Sequence, residues 1–423
     1  MEDVKLFWEK FKLLYKKLCQ DEWNANTTGI VVALLTILIM AWWRPWGAVG
    51  AIRNWGDWML YSAGLFDGES LAELTGFIDE DGAFILTKSI WFNTGSVIGL
   101  GLVGGAFISA CLGGQFAFRF PPLREYVKAM IAGVLMGLGA ALAGGCNVGG
   151  MYNAIGNLAA NGFAMWVGLI PGALLGLWLL YWEMENVTWG GKGSYTINIP
   201  YPVQIIFGVL GLGVLIWGAT QYAAFEDDDF EEYITSLSGI VLIATAIGYA
   251  MQRGRWCMIQ GFREPHMTGD STMARSVALS ILIVAVGAAV LKYGVPMRFD
   301  GEAVLNPAYY VRGTFGHGAL IGGFIFGVGA MMAGGCGSGT LWRVGEGQIK
   351  LWLVVPFFSL SNSLFDAFFK NYEFEANGWL GAKVYLPDVF GYGWSLGLIA
   401  LFCLIWYLIV SWNEDSNKLL LPM

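Results

Sequence analysis

Charge is scarce in this sequence. Only 13% of its 423 residues are Asp, Glu, Lys or Arg, against about a quarter in soluble domains. The deficit runs along the whole chain, which excludes an ordinary soluble fold. No C-x-x-C pair occurs among the six cysteines, Cys19, Cys111, Cys146, Cys257, Cys336 and Cys403. That removes zinc-ribbon and thioredoxin-type sites. A disulfide framework belongs to small secreted domains, so these read as free thiols. Histidine is limited to His266 and His317, too sparse for a haem or metal centre. No cofactor, metal site or catalytic residue is expected. There is no Walker A motif, so ATP hydrolysis by this chain is not expected. No basic tract suggests nucleic acid as a partner. The start of the chain lacks a cleavable signal: Lys5, Lys10, Lys12, Lys16 and Lys17 are mixed with acids, and no A-x-A site follows the first apolar run.

What remains is apolar, glycine-rich and tryptophan-rich. Hydrophobic residues make up 56% of the chain, with 60 glycines and 20 tryptophans. Glycine lets membrane helices approach closely, and tryptophan favours the bilayer interface. A bilayer core needs roughly 20 apolar residues per helix. Ten such runs are found, at about 28–46, 88–113, 129–147, 163–182, 202–223, 234–251, 276–293, 315–336, 349–370 and 391–412. The fold class expected is an all-α polytopic integral membrane protein. Residues 47–65 carry Arg53, Asp57, Trp55 and Trp58 and read as an interfacial or re-entrant helix.

Basic loops set orientation. Lys5 to Lys17, Arg119 to Lys128 and Arg253 to Arg275 alternate with acidic stretches at Asp67 to Asp81, Glu226 to Glu232, Asp300 to Glu302 and Glu373 to Asp388. Ten spans with both termini in the cytoplasm put every basic loop inside. The expected organisation is a cytoplasmic segment at 1–27, a first span with a re-entrant segment and acidic loop at 28–87, repeat halves at 88–225 and 234–412, and a tail at 413–423.

The repeat is visible in GVLMGLGAALAGGCNVG (133–149) and GFIFGVGAMMAGGCGSG (323–339), identical at nine of seventeen positions. In the ten-span topology the two copies run in opposite directions, as in inverted-repeat transporters with a midplane substrate site. Glycine in a helix interior costs about 1 kcal/mol relative to alanine. Gly144-Gly145 and Gly334-Gly335 should therefore break their helices, which at membrane depth is tolerated only where the backbone is buried in protein or lines a cavity. Freed N–H groups there suit an anion. Cys146 and Cys336 stand at the two breaks, followed by Asn147 and, two residues on, Ser338. Two matching copies favour function over glycine packing with cysteine as a small filler. Cys111 and Cys257 flank these at the cytoplasmic side. Arg255 and Arg263 would draw an anion by charge.

These segments resemble the YeeE/YedE family of sulfur-transport membrane proteins. The resemblance rests on the paired A-G-G-C-x-x-G segments, the stretch Thr340 to Gly347, and the cysteine segments ending in Arg119 and Arg263. It covers about residues 88–370. It implies an hourglass-like helical fold with short pore-lining helices, and uptake of thiosulfate, with a selenium species in some branches. It also implies passage along thiols by transient S–H···S contacts, in a bacterial inner membrane, with a cytoplasmic sulfur-carrier protein as a further candidate partner. By motif, Cys146 and Cys336 are the central candidates and Cys111 and Cys257 the flanking ones. The first copy departs from the second after its cysteine, C-N-V-G-G-M-Y-N against C-G-S-G-T-L-W-R. A rival reading is a membrane thiol redox enzyme or sulfurtransferase, with a cysteine attacking sulfane sulfur.

Overall fold

The protein is described by a computed structural model covering residues 2–66, 69–191, 193–226, 230–294 and 311–421. Asp67, Asp227 to Asp229 and Asp300 to Glu302, parts of the expected acidic loops, lie outside the described residues.

Among the described residues, ten helical segments are long and apolar enough to cross a bilayer. They fall where the apolar runs predicted. In chain order the helices are α1 (Glu2–Tyr15), α2 (Ala25–Trp42), α3 (Ala48–Ser62), α4 (Glu69–Thr75), α5 (Thr94–Leu112), α6 (Leu123–Ala143), α7 (Asn153–Gly156) and α8 (Asn161–Asn186). Then come α9 (Tyr201–Ala223), α10 (Glu231–Arg253), α11 (Met258–Met267), α12 (Thr272–Ala289), α13 (His317–Ala333), α14 (Gly337–Gly345), α15 (Ile349–Asn371) and α16 (Leu386–Ser416). Three spans continue through a break into a shorter piece: α6 into a π-turn at Asn147–Tyr152 and then α7, α10 into α11, and α13 into α14. Residues 48–62 form α3, whose 15 residues are too few to cross alone. A two-stranded antiparallel ribbon, β1 (Ala117–Phe120) with β2 (Tyr195–Asn198), is the small departure from an all-helical chain.

Local chemistry sets the helix starts. Asn24 and Asn93 cap α2 and α5, their side-chain oxygens accepting from Asn26 N (2.9 Å) and Ser96 N (3.1 Å). Glycine sets the packing distance. A β-carbon on Gly139 of α6 would lie 2.7 Å from the carbonyl oxygen of Gly322 in α13, and one on Gly322 would lie 2.7 Å from that of Gly139. Backbone meets backbone there, as small residues allow between membrane helices.

The packing recurs in pairs. α13 lies along α8 as α15 lies along α6, and α10 lies on α5 as α12 lies on α2. Among the described residues four spans lie between α6 and α13, so the two run in opposite senses through any bilayer that each span crosses. α3 packs on α5 and α15, so it is built into the bundle rather than laid on its surface. α9 and α16 carry much of the exposed apolar surface, including Ile206, Leu210, Val214, Leu401, Leu404 and Leu408, as helices facing lipid do. On α1, Val4, Phe7, Trp8, Phe11 and Leu14 form one exposed face at helical spacing.

Candidate functional site

The site is built from three helix breaks. At the first, Gly144 takes a left-handed conformation (φ 70°) at the end of α6, and Cys146 begins the π-turn with φ −82° and ψ −172°. At the second, Gly334 is left-handed (φ 85°) at the end of α13, and Cys336 caps α14 with φ −76° and ψ −173°. Only glycine enters that left-handed region cheaply, which is why the glycine pairs mark both breaks. The hydrogen bonds match as well. Gly145 N donates to Ala140 O at 2.9 Å and Gly335 N to Ala330 O at 3.1 Å. Gly150 N reaches Cys146 O, and Thr340 N reaches Cys336 O, both at 2.7 Å. The repeated sequence is thus a repeated backbone.

The third break has no glycine pair. α10 ends at Arg253, Arg255 sits at φ 50°, and Cys257 caps α11 in extended conformation. Positive φ at a bulky non-glycine residue is uncommon and stores strain.

The three cysteines converge, all fully buried. Cys257 Sγ and Cys336 Sγ are 3.8 Å apart, and Cys336 Sγ is 3.6 Å from Ser338 Oγ. A β-carbon on Gly339 would fall 2.6 Å from Cys257 Sγ and 3.4 Å from Cys336 Sγ; one on Gly337 would fall 2.8 Å from Cys146 Sγ. These two positions have no room for a larger residue because thiols occupy it. Asn147 is buried, with both amide atoms free of hydrogen-bond partners, and buried Thr340 has an unpartnered hydroxyl. Cys111 lies elsewhere, in a separate apolar cluster with Ala110 and Phe116.

Two chemically different regions flank the thiols. On the Cys146 side is a cavity of about 650 Å³ reaching Gly144, Gly145 and Gly149, with Arg53, Asn153 and Lys370 among its walls. Arg53 meets Asp366 at 2.7 Å and Lys370 meets it at 3.0 Å. On the Cys257 side is a knot of polar groups around Glu346, whose side chain is fully buried. Its carboxylate accepts from Arg255 at 2.7 Å, from Gln252 at 3.3 Å and from Gln348 at 2.5 Å, with Arg119 at 3.6 Å. Arg255 stands 5.8 Å and Arg343 4.8 Å from the ring centre of Trp342. Arg263 pairs with Glu264 at 3.9 Å.

Sequence reasoning missed Glu346 and Thr340 as members of this site, although both lie in the stretch Thr340 to Gly347 that carried the family resemblance. It also missed the break at Arg255. The glycine pairs at 144–145 and 334–335 were the usable signal for the other two.

A bundle of ten apolar segments with three interrupted helices meeting at buried polar and thiol groups defines a multi-pass membrane transporter, because broken backbone at that depth belongs where a solute is handled. The sequence matches the family described as "Sulphur transport" over residues 7–178 and 253–421, and the chain belongs to that family. It is 25% identical over 325 residues to "Probable transporter YedE" of Escherichia coli (strain K12), spanning 73% of this chain and 72% of that protein. Over 121 residues it is 36% identical to "Thiosulfate transporter TsuA" of the same organism, 28% of this chain and 31% of that one. A TsuA of Spirochaeta thermophila is 32% identical over 128 residues, covering 28% of this chain and 33% of that one.

Proposed function

We propose that this protein imports a small sulfur-containing dianion, thiosulfate, moving it from the Arg53 cavity past Cys146, Cys336 and Cys257 in turn. The observation that carries this reading is the convergence of three thiols at three helix breaks, with two sulfurs 3.8 Å apart. Desolvating a dianion is very costly unless donors replace water. Neutral S–H groups supply donors, as do the first N–H groups of α11 and α14, which have no partner within their own helices. Asn147 and Thr340 add polar atoms that no other described residue hydrogen-bonds. Soft sulfur suits the terminal sulfur of thiosulfate, while amide and hydroxyl groups suit its oxygens. Cys111, outside this cluster, takes a structural part. Arg255 and Arg263 act on the cytoplasmic side.

The protein lies in a bacterial inner membrane with both termini in the cytoplasm. The membrane potential opposes anion entry by about 2.3 kcal/mol per charge per 100 mV, so inward flow needs coupling or removal of the product, for which a cytoplasmic sulfur-carrier protein is the fitting partner. A selenium oxyanion of the same shape would meet the same donors.

The test is uptake of radiolabelled thiosulfate by cells lacking their own thiosulfate import, with selenate, sulfate and sulfite as competitors. Saturable uptake that only thiosulfate-like anions inhibit is expected. Uptake no greater than in cells without the protein overturns the reading. A persulfide mass shift on Cys146 or Cys336 after exposure would replace it with covalent sulfur transfer.

A further inference from the structure

Glu346 is in an electrostatically adverse place. It is the C-cap of α14, and a helix C-terminus carries partial negative charge that favours cations over carboxylates. Its side chain is fully buried, where an ionised carboxylate survives only with partners. Those partners lie across the bundle: Arg255 from the α10–α11 break and Arg119 from β1, at 2.7 and 3.6 Å. Arg253, also buried, donates to Gln115 Oε1 (2.8 Å), to Gln252 Oε1 (3.1 Å) and to the carbonyl of Cys19.

The charges in this knot do not balance. Arg119, Arg253 and Arg255 stand around Gln115, Gln252 and the Glu346 carboxylate, with Glu22 the one further carboxylate acting on Arg253, which leaves three guanidiniums against two carboxylates. The side chains of Arg255 and Arg119 are about one-third exposed, whereas that of Glu346 is fully buried. Arg255 has φ 50°, and α14 connects the site directly to the Cys336 break.

We propose that Glu346 is an internal anion occupying the last oxyanion site of the pathway, between Arg255 and Arg119, which a departing dianion takes by displacing it. This rests on the reading of the chain as a carrier of a sulfur dianion, and it adds a fourth station beyond the thiols. A tethered monovalent carboxylate holds the site when no substrate is present, through its high effective concentration. A dianion carries the greater charge needed to compete for two guanidiniums. Once displaced, the carboxylate returns and expels the dianion, so the site binds oxyanions without retaining them.

The probe is sulfate, a dianion without sulfane sulfur, titrated by calorimetry into the purified full chain. Thermal unfolding checks each variant. Glu346→Gln keeps the shape and removes the competitor, and it should bind sulfate roughly tenfold more tightly than the unaltered protein, the scale of one charged hydrogen bond. The double variant Glu346→Gln with Arg255→Gln should lose that gain. In uptake assays Glu346→Gln should lower both KM and maximal rate for thiosulfate, because release slows. If Glu346→Gln does not fold, Glu346→Asp, with the carboxylate withdrawn by one methylene, should show the same change to a smaller degree. Sulfate binding unchanged or weakened in the folded variant overturns the proposal. If the unaltered protein imports no thiosulfate, the substrate assignment fails, and the sulfate titration still decides whether Glu346 holds an oxyanion site.

Discussion

Two helix starts are led by tryptophan, Trp46-Gly47 before α3 and Trp256-Cys257 before α11, and they differ in what they meet. The backbone is extended at both, with φ −164° and ψ 143° at Gly47 and φ −147° and ψ 123° at Cys257. Each faces the last glycine of a Gly-Cys-x-x-Gly run. A β-carbon on Gly149 would meet nothing within 4 Å, and Gly47 approaches it from the cavity wall. A β-carbon on Gly339 would strike Cys257 Sγ. The same local geometry leaves an open cavity where the residue is glycine and a closed thiol contact where it is cysteine. On the proposed reading, one end of the path admits by width and the other discriminates by contact.

The largest effect should come from removing the thiols at the two glycine breaks. Cys336→Ala and Cys146→Ala should each reduce thiosulfate uptake by roughly 10–100-fold, the loss expected when a donor to a desolvated charge disappears without replacement. Immunoblots of membranes should find both variants at normal levels, since alanine fits where the small thiol fits. Cys19→Ala and Cys403→Ala serve as controls and should transport normally. Wild-type rates in both central variants would sink the thiol pathway and leave the Gly-Gly-Cys runs as packing motifs.

A pair of alanine substitutions tests the open and closed ends directly. Gly339→Ala should lower stability by about 1–3 kcal/mol through overpacking against Cys257, and uptake with it. Gly149→Ala, the equivalent change beside the cavity, should leave the thermal midpoint nearly unchanged. The reverse order would mean that the two breaks are not alternative versions of one geometry.

The smallest effect concerns the arginines. Charge alone would let lysine replace Arg255. Its guanidinium instead contacts Glu346 at 2.7 Å and Gln115 at 3.4 Å and lies near the Trp342 ring, and a lysine cannot reproduce that combination. Arg255→Lys should recover only part of the uptake lost in Arg255→Ala at low substrate, whereas Arg263→Lys should behave as the unaltered protein. Complete rescue by lysine at 255 would reduce that residue to a point charge.

The sequence by itself determined the ten spans, because a bilayer demands a run of apolar residues that composition cannot hide. It determined the breaks at Gly144-Gly145 and Gly334-Gly335 too, because left-handed backbone inside an apolar run requires glycine. The tertiary structure decided everything that depends on distant residues meeting. Arg255 is not a residue type that announces left-handed backbone, so the break before Cys257 left no local mark. A glutamate between two glycines in a short connection reads as solvated, and only the fold brings Arg255, 91 residues away in sequence, against Glu346. Cys257 and Cys336 are 79 residues apart, and Cys111 resembles them in context yet faces another cluster. Which side of a helix a thiol occupies becomes meaningful only when its neighbours are packed, and that packing is set by the glycine contacts between helices rather than by any one segment.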